Sequence, residues 1–406
     1  MAVTLRALQT VVPPTILVQE QVRDIFAAQP GLSRLGQRLV STSFNVSGID
    51  TRHTVISELT LDNHAVEPQF FDSAQQRLLV PSTKVRNELY IVEATKLFVE
   101  AGRRALAACP DIRPEDVTHV VTVSCTGFFA PGPDYMLVRE LGLAPGTQRY
   151  HLGFMGCYAS MPALRTAKQF VEADPNAVVL VVSAELCSLH LRTSNDPDTI
   201  VASSLFSDGA AAGIVSAREP LPGEKALALD LFETVITPVG EGDMAWKIGD
   251  EGFEMILSTY VPHIIDEHIE GALAPLFARD ASITGQLLES AEPDAAEPAD
   301  TAPQRSPVLT LAPAASLSTV IEHWAIHPGG RSILDKTEAK LGLRPEQLAP
   351  SRETLRTNGN MSSATILFVM KAILDGPATT DGERVCAMAF GPGLTVESGL
   401  MTVVEG

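Results

Sequence analysis

An α/β layered fold is predicted for this 406-residue chain by three observations. Short β-branched runs recur along it, helical patterns separate them, and the runs are continuously apolar rather than alternating. Continuous apolarity marks strands covered on both faces, as inside a layered sheet.

The elements follow in order. "HVVTVSC" at 119–125 reads as a buried strand. "MPALRTAKQFVEA" (161–173) has helical spacing and leads into a second strand, "AVVLVVSAE" (177–185). Further on, "HWAIHPGG" (323–330) reads as a strand and "MSSATILFVMKAILDG" (361–376) as a helix stopped by Gly376. "RVCAMAFGPG" (384–393) and "LTVESGLMTVV" complete the set as strands. Both halves share an outline of strand, glycine-marked turn, helix and strand without a residue-level repeat, a weak sign of duplication. "ESAEPDAAEPADTAPQRSPVLTLAPAAS" (289–316) offers little to bury, so a surface insertion is expected, mobile at least over 291–306. A segment that docks a partner is its second reading.

Lysine and arginine total 30 and aspartate and glutamate 49, a formal charge of −19. That balance argues against general nucleic-acid binding, since no positive field gathers phosphates. No apolar run reaches the roughly 18–20 residues that span a bilayer. The stretch "MAVTLRALQTVVPP" lacks a signal-peptide layout, which predicts a cytoplasmic protein. The five cysteines (109, 125, 157, 187 and 386) are odd in number and scattered, without a C-x-x-C pair. They suit reduced thiols and give no zinc signal.

Three polar residues sit where strands run into turns. Cys157, in "HLGFMGCYAS", stands at the start of a predicted helix. His327, in "WAIHPGG", ends an apolar strand, and Asn360, in "TNGNMSSAT", precedes the helix at 361–376. Singly, these read as a buried thiol, a core histidine and an N-cap. Together they suit acyl chemistry. A helix N-terminus and a nearby imidazolium lower a thiol's pKa, and the thiolate carries an acyl group. A neutral imidazole N–H and an amide N–H are two donors for an enolate or oxyanion. The set fits decarboxylative Claisen condensation of a malonyl thioester. Papain-like proteases use the same residue types, but their local cysteine signature is absent.

The chain resembles the type III polyketide synthases, the chalcone synthase-like homodimers of the thiolase superfamily, over nearly its whole length outside 289–316. "GCYAS" matches the nucleophile motif at Cys157, "WAIHPGG" the histidine motif at His327, and "NGNMSSA" the asparagine motif at Asn360. "LFSDGAAA" (205–212) places Phe206 at the gatekeeper phenylalanine. "AFGPGLTVE" (389–397) resembles the loop that shapes the cyclisation cavity, through Gly391, Pro392 and Gly393. The resemblance implies a thiolase-like doubled αβαβα fold in two pseudo-duplicated halves, 1–225 carrying the cysteine and 226–406 carrying histidine and asparagine. It implies that Cys157 carries starter and growing chain while His327 and Asn360 drive decarboxylation. Malonyl-CoA and an acyl-CoA starter would be substrates, with no metal or redox cofactor and with ring closure to a pyrone, resorcinol or phloroglucinol-like product.

Counting from the motifs locates departures from plant members. Cys125 stands at a cavity threonine, and Ala130 at a methionine that crosses into the partner subunit. Cys187 and His190 stand at two further threonines, Trp246 at a small glycine, and Met255 at the second gatekeeper phenylalanine; Ser362 is retained. Trp246 would fill cavity volume, shorter side chains at 130 and 187 would open it, and flexible Met255 would accommodate an acyl tail. A fatty acyl starter is therefore favoured over a phenylpropanoid one. At the CoA entrance "NVSGIDTRHT" (45–54) has Asp50 where plant members carry a cation, so Arg331, or Arg34 or Arg38, is the candidate phosphate partner. Without a cation there, the starter would arrive on an acyl carrier protein. The alternatives are a β-ketoacyl synthase III-like enzyme making a single condensation without cyclisation, and a catalytically silent scaffold subunit.

Overall fold

The computed structural model describes residues 2–60, 63, 65–284 and 317–406; the insertion expected at 289–316 lies outside the described residues. Nine strands form one mixed sheet: β1 (Thr4–Val11), β2 (His119–Ser124), β3 (Gln148–Gly153), β4 (Val178–Leu186), β5 (Asp208–Ser216) and β6 (Lys225–Ile236). Beyond a separate two-stranded ribbon, β7 (Met244–Gly249) and β8 (Gly252–Leu257), come β9 (His323–Ile326), β10 (Arg384–Gly391) and β11 (Thr395–Glu405). The spatial order is β9-β10-β11-β6-β1-β5-β4-β2-β3. The outer pairs β9–β10, β2–β3 and β2–β4 are parallel and the remainder antiparallel.

The continuous apolar runs are explained by cover on both faces. In β4, Val179 and Val181 enter one core cluster while Val178, Leu180 and Val182 enter another. In β10, Val385, Ala387 and Ala389 face one core and Cys386, Met388 and Phe390 the other. The period of two sends neighbours to opposite layers, and helices meet them there. One layer holds α3 (Ser160–Ala173) and α8 (Thr365–Leu374); the opposite face is covered by α2 (Thr83–Ala107) beside α5 (Val261–Ala278). Four more helices matter for the site: α1 (Arg34–Val46), α4 (Pro197–Leu205), α6 (Arg331–Leu341) and α7 (Pro345–Asn358).

Boundaries moved where turn chemistry intervenes. The strand expected over 323–330 ends at Ile326, because Pro328-Gly329-Gly330 leads into α6. The helix expected over 361–376 opens with a 3₁₀ turn, Ser362–Ala364, before α8. The helix after Cys157 starts at Ser160, so Cys157 lies in the turn ahead of it. Among the described residues no helix is long and apolar enough to cross a membrane.

Candidate active site

The three motif residues converge from separate elements. Cys157 follows β3 through Gly156, whose φ of +88° suits glycine. A Cβ there would stand 2.4 Å from Pro392, and one on Gly391 would stand 2.4 Å from the Tyr158 ring. The loop after β10 thus packs directly against the cysteine turn, and both glycines are required by close approach. Gly393 takes a φ of +113°, turning the chain back toward β11.

Asn360 arrives through a backbone bridge to Phe206: its N–H donates to Leu205 O and its carbonyl accepts from Ser207 N. Its Oδ1 accepts the Ser362 N–H at 2.8 Å, and its Nδ2 donates to Gly329 O at 3.2 Å. The acceptor is committed to the backbone, which fixes the amide so that its remaining N–H faces the cavity and the Cys157 sulfur. His327 follows β9, 1% exposed, and neither ring nitrogen has a protein partner.

Cys157, His327, Asn360, Ser362, Phe206, Trp246, Met255 and Pro392 line one cavity. It encloses about 30 Å³, room for a water or two. Beyond Phe206 lies a second compartment of similar size, lined by Cys187, His190 and Arg192; Phe206, Trp246 and Met255 line both. Trp246 and Met255 are cross-strand partners in the β7–β8 ribbon. The indole meets Phe206 edge-on at 6.3 Å and His190 at 5.9 Å. Trp246 is therefore part of the wall, and it fills the space a glycine would leave.

On the outer side the Cys157 cavity shares Leu257, Gly329 and Ile333 with a wider opening of about 250 Å³. Thr42, Ser43 and Val46 of α1 form one lip, and Gly330, Arg331 and Ser332 at the start of α6 form the other. Arg331 is thus at the mouth, its only ion pair among the described residues a 3.5 Å contact to Asp335. Asp50 is paired with Arg356 at 2.5 Å.

Electrostatics set the resting state. Burial holds His327 neutral, its pKa down at about 3. Burial also pushes the Cys157 thiol up to about 12, opposed by donation from Ser362 Oγ at 3.5 Å and from the Asn360 amide. This corrects the expectation that the helix N-terminus acidifies the thiol: the helix begins three residues later, and desolvation outweighs it. His190 is likewise held neutral, near pKa 3, by burial. Its Nδ1 accepts the Phe253 N–H at 3.0 Å, so Nε2–H donates to Thr126 O at 2.8 Å.

Cys125 and Ala130 do not line either compartment. Cys125 is buried behind Ser362, 3.3 Å from its hydroxyl, because its thiol points back to Glu185 at 3.2 Å. Ala130 is exposed beside a cis bond to Pro131, on the surface of this chain. Glu185 was missed at the sequence level. Fully buried, it accepts from Cys125 N at 2.9 Å, from Thr126 Oγ1 at 3.0 Å and from Ser363 Oγ. A carboxylate inside the run "VVLVVSAE" was the signal available, since such groups are seldom buried unpaired.

Comparison with known proteins points one way. Residues 2–220 match the model for chalcone and stilbene synthases, N-terminal domain, and residues 314–405 the model for the C-terminal domain. Among solved structures, PKS-I from the brown alga Ectocarpus siliculosus aligns with a TM-score of 0.82 at 24% identity, covering 100% of this chain and 99% of that one. The C-terminal type III polyketide synthase domain of Steely1, a type I/III hybrid from Dictyostelium, aligns at 0.80 and 25% identity, covering 100% of both chains. The 1,3,6,8-tetrahydroxynaphthalene synthase of Streptomyces coelicolor A3(2), a bacterial type III polyketide synthase, aligns at 0.77 and 24%, covering 99% of this chain and 100% of that one.

Proposed function

Since the chain belongs to the chalcone and stilbene synthase family, whose members are condensing acyltransferases of the type III polyketide synthase class, we propose that Cys157, His327 and Asn360 are its catalytic residues. The observation that carries this reading is their meeting in one cavity, closed by Phe206 on one side and open toward Arg331 on the other.

The chemistry follows from the donors. Cys157 sulfur attacks the starter thioester, its proton passes to His327, and the CoA thiolate leaves with that proton. Malonyl-CoA then enters, and its carbonyl oxygen takes the N–H of His327 and the cavity-facing amide N–H of Asn360. As carbon dioxide departs, the electron pair becomes an enolate held by these two donors. A histidine near pKa 3 is suited to this: it donates a hydrogen bond without surrendering its proton. The enolate carbon attacks the acyl-cysteine carbonyl, the sulfur leaves, and the lengthened chain sits on CoA, ready to return. Repetition and ring closure give a pyrone, resorcinol or phloroglucinol-like product.

Phosphates of CoA are assigned to Arg331 and the first backbone N–H groups of α6, where the helix dipole adds attraction. The working unit is a homodimer in the cytoplasm, where free thiols stay reduced. In support, β3 is an edge strand whose residues 148–151 are exposed, with Phe128 and Tyr135 also exposed.

Incubation with an acyl-CoA panel and labelled malonyl-CoA, followed by mass analysis, tests the reading. Products carrying two or more labelled units and a Cys157→Ala variant that releases none are expected. A single extension would favour the one-step condensing alternative. Arg331→Glu is expected to raise KM for malonyl-CoA several-fold; an unchanged value would favour delivery by a carrier protein.

A further inference from the structure

The compartment beyond Phe206 holds two unsatisfied donors and has no carboxylate in its wall. Its polar members are Cys187, His190, Arg192, Thr199, Ser203 and Trp246. Thr199 Oγ1 already donates to Asp196, and Ser203 Oγ to Arg192 O. Both nitrogens of His190 are engaged. Two donors remain: the Trp246 indole N–H, buried without a partner, and the Arg192 guanidinium, which has no hydrogen bond or ion pair among the described residues.

That guanidinium is unusual in this chain. The other described arginines lacking any side-chain partner are Arg34, Arg38, Arg77 and Arg139, and all four are exposed. Arg192 is half-buried in a cavity wall, in a protein carrying nineteen surplus negative charges. Its charge reaches both His190 and the buried Arg86, whose Nη2 also lacks a partner. A half-buried cation without an ion-pair partner, beside a neutral imidazole and a cavity that holds an orphaned indole N–H, favours an anion.

Resting on the condensing reading above, we infer that this compartment is a carboxylate subsite, and that the starter it selects is a dicarboxylic acyl thioester. The acyl carbon bonds to Cys157, and the far carboxylate passes Phe206 to meet the Arg192 fork and the Trp246 N–H. Met255, unbranched and shared by both compartments, is the part of the wall that yields to the methylene chain. The small space accepts a planar carboxylate, whereas an alkyl tail would fill it without satisfying either donor.

The test compares kcat/KM for diacyl-CoA starters from succinyl to pimeloyl with their monoacyl counterparts of equal length. A preference for one diacyl starter of at least 10-fold is expected, and Arg192→Met should lower that ratio on the order of 10- to 100-fold, the range for a charged hydrogen bond. Arg192→Lys should restore part of it. Wild-type preference for monoacyl starters, or a ratio unmoved by Arg192→Met, overturns the proposal and leaves the condensing reading intact. An effect confined to inhibition by free adipate would assign the subsite to released acids and overturn the starter assignment. If no starter is extended at all, the condensing reading fails by itself. Quenching of tryptophan fluorescence by adipate in wild type but not in Arg192→Met then supports the subsite, and its absence overturns it.

Discussion

The Asn360 side-chain oxygen accepts the Ser362 backbone N–H at 2.8 Å, so one contact serves both the turn into α8 and, together with the bond to Gly329 O, the orientation of a proposed catalytic amide. The two roles separate chemically. Asn360→Asp keeps an acceptor for Ser362 and loses both amide hydrogens. Folding should persist while malonyl-CoA decarboxylation falls on the order of 10²–10³-fold, the cost of one oxyanion donor. Circular dichroism and carbon dioxide release measure the two effects. Retained decarboxylation in a folded variant would remove Asn360 from the chemistry.

Cys157 and His327 are each held neutral by burial, the thiol up at about 12 and the imidazole down at about 3. Each charged form is favoured by the other. Two unit charges about 4 Å apart gain about 4 kcal/mol at an effective dielectric near 20, about three pKa units, which narrows the gap between about 12 and about 3 without closing it. Iodoacetamide inactivation followed against pH is therefore expected to inflect at higher pH in His327→Ala than in wild type, by no more than about three units. Identical profiles would show that the imidazole does not assist the thiol.

Acid stability should follow the buried histidines. His190 and His327 have folded pKa values near 3, below the 6.5 of the unfolded chain. The unfolded state takes up protons first, so the stability these groups contribute is complete above pH 6.5 and is lost as pH falls toward 3. Between pH 7 and 5 each costs about 2 kcal/mol. Asp208, raised to about 6 by burial, binds its proton in the folded state and offsets on the order of 1 kcal/mol. Denaturant midpoints at the two pH values should drop for wild type and drop less for His190→Gln, which can still accept from Phe253 and donate to Thr126. Equal drops would place the acid sensitivity elsewhere.

Much of the site was legible because its residues carry local signals. Cys157 and His327 each sit at a glycine-marked junction between strand and turn, whereas Asn360, expected at the end of a strand, follows Gly359 at the end of helix α7. The buried strands around β4 and β10 were readable because both of their faces are apolar. What escaped depends on distant partners. β1 lies in the sheet interior between β5 and β6, yet its mixed burial pattern and Arg6 disguise it. Arg6 is fully buried only because Asp111 and Glu224 reach it from far along the chain. Cys125, assigned to the cavity by counting, turns away because Glu185 lies behind it. The ribbon β7–β8 brings Trp246 to Phe206 through a pairing that no single stretch announces.

Trp246 is where that ribbon bears on product length. Its indole stands between Phe206 and His190 and lines both compartments, each with about 30 Å³ free. A growing polyketide needs volume, so this side chain limits how far the chain extends before it cyclises or leaves. Trp246→Gly removes the partition and is expected to shift products toward one or two more malonyl-derived units, read as mass increments of the released compounds. Lost edge-on contacts, each about 0.5–1.5 kcal/mol beyond their burial, together with a glycine in a strand, should lower stability by a few kcal/mol. Trp246→Phe is the control, since it keeps a partition of reduced size and should give intermediate lengths. If Trp246→Gly folds, condenses and releases products of unchanged length, the limit lies with Phe206 and Met255 instead.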